Sequence, residues 1–178
     1  MPTLVGDYFA GSLTYICHHD DEGAMGLIIN RPSNFSLYEL LSETGMATAD
    51  AQKDQMLSQQ VFEGGPVSTE RGFVLHSLET TYPGTQTLDD QLAISTTMET
   101  LVQIGQGRVP EAYLVALGYA GWGAQQLESE IQNNIWLTTP GDMKAMFQAT
   151  SDKRLETAVG WLGMSMAELA LVANPGHA

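Results

Sequence analysis

A run of potential metal ligands lies near the start of the chain, at His18-His19-Asp20-Asp21-Glu22. Imidazole and carboxylate groups bind divalent cations, and a protein site needs three or four of them to converge. The run begins on a predicted strand, where neighbouring side chains such as His18 and His19 point to opposite faces. A solvated hairpin end with an acidic turn is therefore favoured over a metal site. His76 is the candidate for a remote third ligand.

The single cysteine, Cys17, is the candidate nucleophile. A catalytic thiol needs a neighbouring base and an exposed, electropositive setting. His18 is adjacent in sequence but points to the other side of the predicted strand, so we favour a buried structural thiol. One cysteine also excludes an intramolecular disulfide, which is consistent with a reducing compartment.

A glycine-rich segment, Gly118–Gly123, lies between a predicted strand and a predicted helix. Backbone N–H groups at such a junction can bind phosphate, but the spacing matches neither the dinucleotide-binding motif nor a P-loop. The acidic helix that follows also disfavours an anion. We therefore predict a tight turn at residues 121–123, with Trp122 partly exposed beside Gly26 or Gly65.

Apolar and glycine residues around this turn are predicted to form a shallow interaction cleft. Exposed apolar patches commonly mark binding surfaces, although the default location of such side chains is the core. The predicted cleft consists of Met25, Gly26, Gly64, Gly65, Pro66, Phe73, Tyr119, Gly121 and Trp122, with Trp136 as a further aromatic candidate.

The strands that position these residues are indicated by β-branched, aromatic and continuously apolar runs. Strands and helices mix without a regular βαβ rhythm, which predicts a mixed-sheet α/β (α+β) sandwich. Strands are predicted at 13–19, 24–30, 61–63, 72–77, 92–95, 112–119 and 136–138.

Helix starts are indicated by Ser or Thr followed three residues later by Glu, the capping-box spacing. The pairs are Ser36/Glu39, Thr96/Glu99 and Ser165/Glu168, with further helices predicted at 124–132 and from Pro140, capped by Thr139. The polar stretch 44–60 is predicted to be a mobile loop.

The composition is that of one globular domain spanning all 178 residues, with 43% hydrophobic and 16% charged residues. Seven basic residues against 21 acidic ones give a formal charge of −14. Such a charge repels phosphate backbones and anionic membranes, so nucleic-acid and membrane binding are disfavoured, whereas a protein partner is not. We see no signal peptide and no span of transmembrane length, and expect a cytoplasmic protein.

Several of these segments together resemble the bacterial AlgH family, also called the YqgE type. The matching segments are Thr14-Tyr15-Ile16-Cys17 with His19, Gly23 to Pro32, Gly64 to Val67, Arg71 to His76, Leu114 to Trp122, and Gly176-His177-Ala178. The resemblance implies an α/β sandwich on a bifurcated mixed sheet in a pseudo-barrel. It also implies that a strand of about ten residues, which family members carry before the segment matched by Met1–Leu4, is missing here.

The family members are described as regulators of transcription or translation, and the resemblance supplies no catalytic, cofactor or metal residues. Our first hypothesis is therefore a non-enzymatic regulator that acts through contacts with an unknown protein partner and needs no cofactor. The alternative is a metal-dependent hydrolase or nuclease that uses His18, His19, Asp20 and His76. Direct binding of DNA or RNA is the third hypothesis.

Overall fold

A computed structural model describes residues 8–43, 45 and 58–173 of the chain. These residues form β-strands and α-helices that we number in chain order. The strands are β1 Thr14–Asp20, β2 Gly23–Ile28, β3 Pro32–Ser36, β4 Gln60–Glu63, β5 Val67–Ser77, β6 Thr85–Thr87, β7 Leu92–Ser95 and β8 Tyr113–Gly123. The helices are α1 Leu37–Glu43, α2 Met98–Gly105, α3 Gln126–Gln132, α4 Met143–Gln148, α5 Ser151–Trp161 and α6 Met166–Ala173.

The described chain divides into two compact units, and strand β8 contributes to both. The terminal unit contains the residues up to Asn30 and those from Ala120 onward, and the central unit contains Arg31–Tyr119. The single domain expected from the length stays a prediction.

The terminal unit is built on an antiparallel ladder in which β2 lies between β1 and the end of β8. Ala24 pairs with Trp122, and Met25 pairs with Gly121. Glycine is needed at position 23, where φ is +146° and a Cβ atom would lie 2.2 Å from the carbonyl oxygen of Trp122. The strand backbones can therefore approach closely at the end of β8.

The central unit has a mixed sheet. Strand β8 pairs in parallel with β4 and antiparallel with β5, and β7 then follows β5. Its core is apolar and includes side chains from α1 and α2: Leu37, Leu41, Val61, Val74, Tyr82, Leu101, Ile104 and Val115. The two ladders joined through β8, together with the helices, confirm the predicted mixed α/β class.

Two of the predicted capping boxes are confirmed. The Ser36 backbone N–H donates to the Glu39 carboxylate at 2.8 Å, and the Glu39 N–H donates to the Ser36 hydroxyl at 3.2 Å. Ser165 and Glu168 repeat the arrangement at 2.7 and 3.2 Å. These contacts satisfy backbone donors in the first turns of α1 and α6.

Four local predictions are wrong. Residues 121–123 are not a turn, because they continue β8 and pair with β2. Thr97, not Thr96, occupies the N-cap position of α2, and its side chain forms no capping hydrogen bond; residues 136–138 are not a strand. Helix α4 begins at Met143, so Thr139 and Pro140 precede it and do not start it. At residues 121–123 the pairing with β2 outweighs the preference of glycine for a turn.

Most of the loop predicted at residues 44–60 lies outside the described residues. The longest described helix, α5, has 11 residues, against the roughly 20 that a bilayer span requires. None of the described helices is long and apolar enough to cross a membrane.

Candidate functional site

An apolar groove with a volume of about 410 Å³ opens in the terminal unit. Strand β1 and Trp122 of β8 line the groove, together with α3, α4, α5 and the segment between α3 and α4. All three tryptophans of the chain line it. We call it the tryptophan groove, and its lining includes Thr14, Ile16, His19, Ile29, Trp122, Trp136, Leu137, Thr138, Met146 and Trp161.

Two of its indoles share one carboxylate. The Nε1–H groups of Trp122 and Trp136 donate to the same oxygen, Oε2 of Glu130, at 2.8 and 2.7 Å. The Gln126 amide donates to the other oxygen, Oε1, at 2.9 Å, and its own carbonyl accepts the Gly123 N–H at 3.0 Å. Helix α3 places Gln126 and Glu130 on one face, since they are four residues apart. The groove wall is therefore orientated by hydrogen bonds as well as by packing.

Aromatic packing buries this part of the wall. The Phe9 ring stacks on Trp122 at a centroid distance of 6.5 Å and meets Trp136 edge-on at 5.6 Å. The two indoles meet each other edge-on, also at 5.6 Å. As a result, Trp122 is only 7% exposed and Trp136 only 9%.

The buried Arg154 supports the floor of the groove. Its guanidinium donates to the backbone carbonyls of Met146, Ala149 and Ile29. Ile29 and Met146 are themselves lining residues. Burial lowers the pKa of Arg154. Through these bonds α5 holds the end of α4 and the residue that follows β2.

Exposed apolar side chains surround the mouth. Ile16 and Leu137 are each 38% exposed, and Trp161 is 36% exposed. Beside them, Nε2 of His19 lies 2.5 Å from a carboxylate oxygen of Glu128. The backbone N–H of Glu128, and then His19, lower the pKa of the Glu128 carboxyl. The mouth therefore joins apolar surface to an ionised acidic group.

The histidines of the proposed metal site have separate partners. Nε2 of His18 lies 2.7 Å from the Asp20 carboxylate, whereas His19 pairs with Glu128. His76 is fully buried and bonds to the Ser77 carbonyl and the Ser95 hydroxyl. Residues 8–43, 45 and 58–173 contain no group of three or more His, Cys, Asp or Glu that is arranged to hold a metal ion.

Cys17 lacks the features of an activated nucleophile. It lies at an irregularity in the β1–β2 pairing. The sequence predicts a buried thiol, whereas Cys17 is half-buried. Burial raises the pKa of its thiol to about 12, and its Sγ lies 3.7 Å from the Tyr15 carbonyl oxygen. The thiolate is therefore disfavoured at neutral pH.

The predicted interaction cleft divides between the two units. Met25, Gly26, Gly121 and Trp122 belong to the terminal unit, and Gly64, Gly65, Pro66, Phe73 and Tyr119 belong to the central unit. The partial exposure predicted for Trp122 is wrong, because Phe9, Trp136 and Glu130 enclose its ring. Trp122 nevertheless lines the tryptophan groove. The cleft as a single surface stays a prediction.

Glycine has a structural role at one predicted cleft position. A Cβ atom on Gly64 would lie 2.3 Å from the carbonyl oxygen of Gly118. Any side chain there would therefore collide with the backbone of β8, inside the central unit.

Sequence reasoning missed Thr14 and Trp161 as lining residues, and Glu130 and Arg154 as the residues that hydrogen-bond to the lining. The available signal is compositional, since every tryptophan of the chain lies between positions 122 and 161. Nothing in the spacing shows that one glutamate serves two of them.

Residues 1–167 match the family described as AlgH-like. The chain belongs to the AlgH-like family. A UPF0301 protein of Thiobacillus denitrificans is 40% identical, with 100% of this chain and 93% of the relative covered. A UPF0301 protein of Pseudomonas paraeruginosa is 42% identical, with coverages of 100% and 92%. These names specify no reaction.

Solved structures agree with this membership. The solution structure of the AlgH protein from Pseudomonas aeruginosa matches with a TM-score of 0.79 and 41% identity, covering 100% of this chain and 92% of that one. Protein DIP2367 from Corynebacterium diphtheriae matches with a TM-score of 0.65 at 16% identity, covering 97% and 87%. The second match shows a shared fold alone.

Proposed function

We propose that this AlgH-like chain is a cytoplasmic bacterial regulator of transcription or translation that acts by binding another protein and not by catalysis. The observation that carries the proposal is the mouth of the tryptophan groove, where Ile16, Leu137 and Trp161 are each more than a third exposed. Exposed apolar side chains around a concave apolar surface are typical of a recognition site.

Charge indicates the chemistry of the partner. The formal charge of the chain is −14, and the Glu128 carboxylate lies beside His19, a residue that lines the groove. Among the described residues that line the groove, none is Lys or Arg. A partner segment with apolar side chains beside Lys or Arg complements this surface, and the charge also accelerates its association.

The test compares two apolar truncations at exposed positions. Trp161→Ala removes an aromatic group from the mouth, whereas Leu171→Ala removes an apolar group that is 74% exposed and does not line the groove. Proteins retained by the wild type from native cells are identified, purified and titrated against all three forms by calorimetry. Because a central aromatic contact commonly contributes about 2 kcal/mol or more, we expect Trp161→Ala to weaken binding by about 30-fold.

The control should bind like the wild type. Equal affinities for wild type, Trp161→Ala and Leu171→Ala would contradict the assignment of the groove mouth. The absence of any purified partner that binds the wild type directly would contradict the proposal as a whole.

A further inference from the structure

Within the part of the chain that the structure describes, one hydroxyl in the wall of the tryptophan groove has no hydrogen-bond partner. Thr14 of β1 lines the groove, and its Oγ1 is buried without a hydrogen bond. Among the described residues it is the one buried side-chain nitrogen or oxygen in this condition. Nearly all buried polar groups in proteins are paired, because an unpaired one lowers stability. An unpaired hydroxyl beside a cavity therefore indicates a partner that the described residues do not supply.

The groove has the size and composition of a small-molecule site. Its volume of about 410 Å³ falls within the roughly 300–1,000 Å³ typical of ligand pockets. Such pockets are lined mainly by apolar and aromatic side chains with a few polar groups that fix orientation. Ile29, Met146 and the three tryptophans provide the apolar surface here, and Thr14 provides a polar group.

The charges nearby disfavour an ionic ligand. Among the described lining residues there is no Lys or Arg to pair with an anion, and the overall charge of −14 repels one. The Glu128 carboxylate lies beside the lining residue His19 and already pairs with it at 2.5 Å. A neutral ligand enters without leaving a charge unpaired.

We infer that the tryptophan groove binds a small neutral ligand, mainly apolar, whose single hydroxyl or carbonyl group forms a hydrogen bond with Thr14. A threonine hydroxyl can donate and accept, so either group suits it. Rotation about χ1 moves the hydroxyl between staggered positions and can present it to the groove. This inference does not depend on the proposed protein partner, and the ligand would occupy the groove behind the exposed mouth.

The experiment uses two probes of nearly equal shape, benzyl alcohol and ethylbenzene, which differ in one hydroxyl. Binding is followed by the indole N–H resonances of the three tryptophans. Affinities are compared between the wild type and Thr14→Val, which replaces the hydroxyl by a methyl of similar size. The loss of one net hydrogen bond raises the dissociation constant by a factor of about 2 to 10. We expect Thr14→Val to weaken the binding of benzyl alcohol by that factor. The binding of ethylbenzene should be unchanged or tighter.

Two further variants separate binding from structure. Thr14→Ser keeps the hydroxyl and should keep the preference, and Thr87→Val, which alters an exposed threonine outside the groove, should not affect it. Thr14→Val should also melt at the same temperature as the wild type or above it, because it removes an unpaired buried hydroxyl. The inference would be overturned if Thr14→Val lowered the affinities for both probes by the same factor. It would also be overturned if neither probe bound the wild type.

Discussion

Glu130 is the shared acceptor of two buried indoles, and its removal tests how the tryptophan groove is held. Glu130→Ala leaves the N–H groups of Trp122 and Trp136 without their acceptor. Glu130→Gln keeps one carbonyl oxygen for the indoles but turns an NH₂ group toward the donating amide of Gln126. Gln126 cannot flip without cost, because its carbonyl accepts the Gly123 N–H.

The size of the effect follows from burial. Each buried indole N–H group that loses its acceptor lowers the free energy of unfolding by about 1–3 kcal/mol. Because the open groove admits some water, we expect Glu130→Ala to lower it by about 2–4 kcal/mol in total. For a chain of this length 1 kcal/mol lowers the melting temperature by roughly 2–4 °C. The expected decrease is therefore about 4–16 °C. Glu130→Gln should lower the free energy of unfolding by about 1 kcal/mol, because it replaces one hydrogen bond by a contact between two donors.

Urea unfolding followed by circular dichroism and by tryptophan fluorescence measures these differences. The matched control is Glu156→Ala, which removes another helical glutamate whose partner Lys153 lies 2.9 Å away on the surface. Such an exposed pair contributes little, and we expect the control to remain within about 0.5 kcal/mol of the wild type. The reasoning is refuted if Glu130→Ala unfolds at the same urea concentration as the control.

Four further predictions concern other parts of the chain. Gly64→Ala should destabilise the protein by about 1–3 kcal/mol in urea unfolding, because its Cβ would collide with the backbone of Gly118. Gly160→Ala, where a Cβ meets nothing within 4 Å, should stabilise by about 0.5 kcal/mol. Cys17 should be alkylated by iodoacetamide at pH 8 more slowly in the folded than in the urea-unfolded chain, since its pKa is raised to about 12; equal rates would contradict this. Burial lowers the pKa of His76 from 6.5, so its stabilising contribution is complete above pH 6.5 and decreases as the pH falls below that value. The difference in unfolding free energy between wild type and His76→Gln should therefore shrink on acidification, and a difference that is constant from pH 7.5 to 5 would exclude this linkage.

Features that depend on neighbours in sequence were predictable. The strand–turn–strand of β1 and β2 and the capping boxes of α1 and α6 rest on contacts within a few residues. The local residue types are sufficient for these features, because the same side chains favour the same backbone wherever the segment lies.

Features that depend on distant partners were not predictable. Glycine permits both a tight turn and a close strand pair, and the pairing with Gly23 to Met25 selects the strand at residues 121–123. The exposure of Trp122 depends on Phe9, more than a hundred positions earlier in the chain. Thr139 and Pro140 are residue types that favour the start of a helix. Helix α4 nevertheless begins at Met143, three residues after Pro140.

The chain's own chemistry determines the AlgH-like family, the mixed α/β class and the absence of a readable catalytic motif, since these follow from residue types and their spacing. The folded arrangement determines which aromatic residues share a groove and that one carboxylate serves two indoles. It also pairs His18 and His19 with different acids and, among the residues that the structure describes, leaves the Thr14 hydroxyl without a partner. Hydrogen bonding and burial are properties of atoms brought together across long separations, and spacing along the chain does not encode them directly.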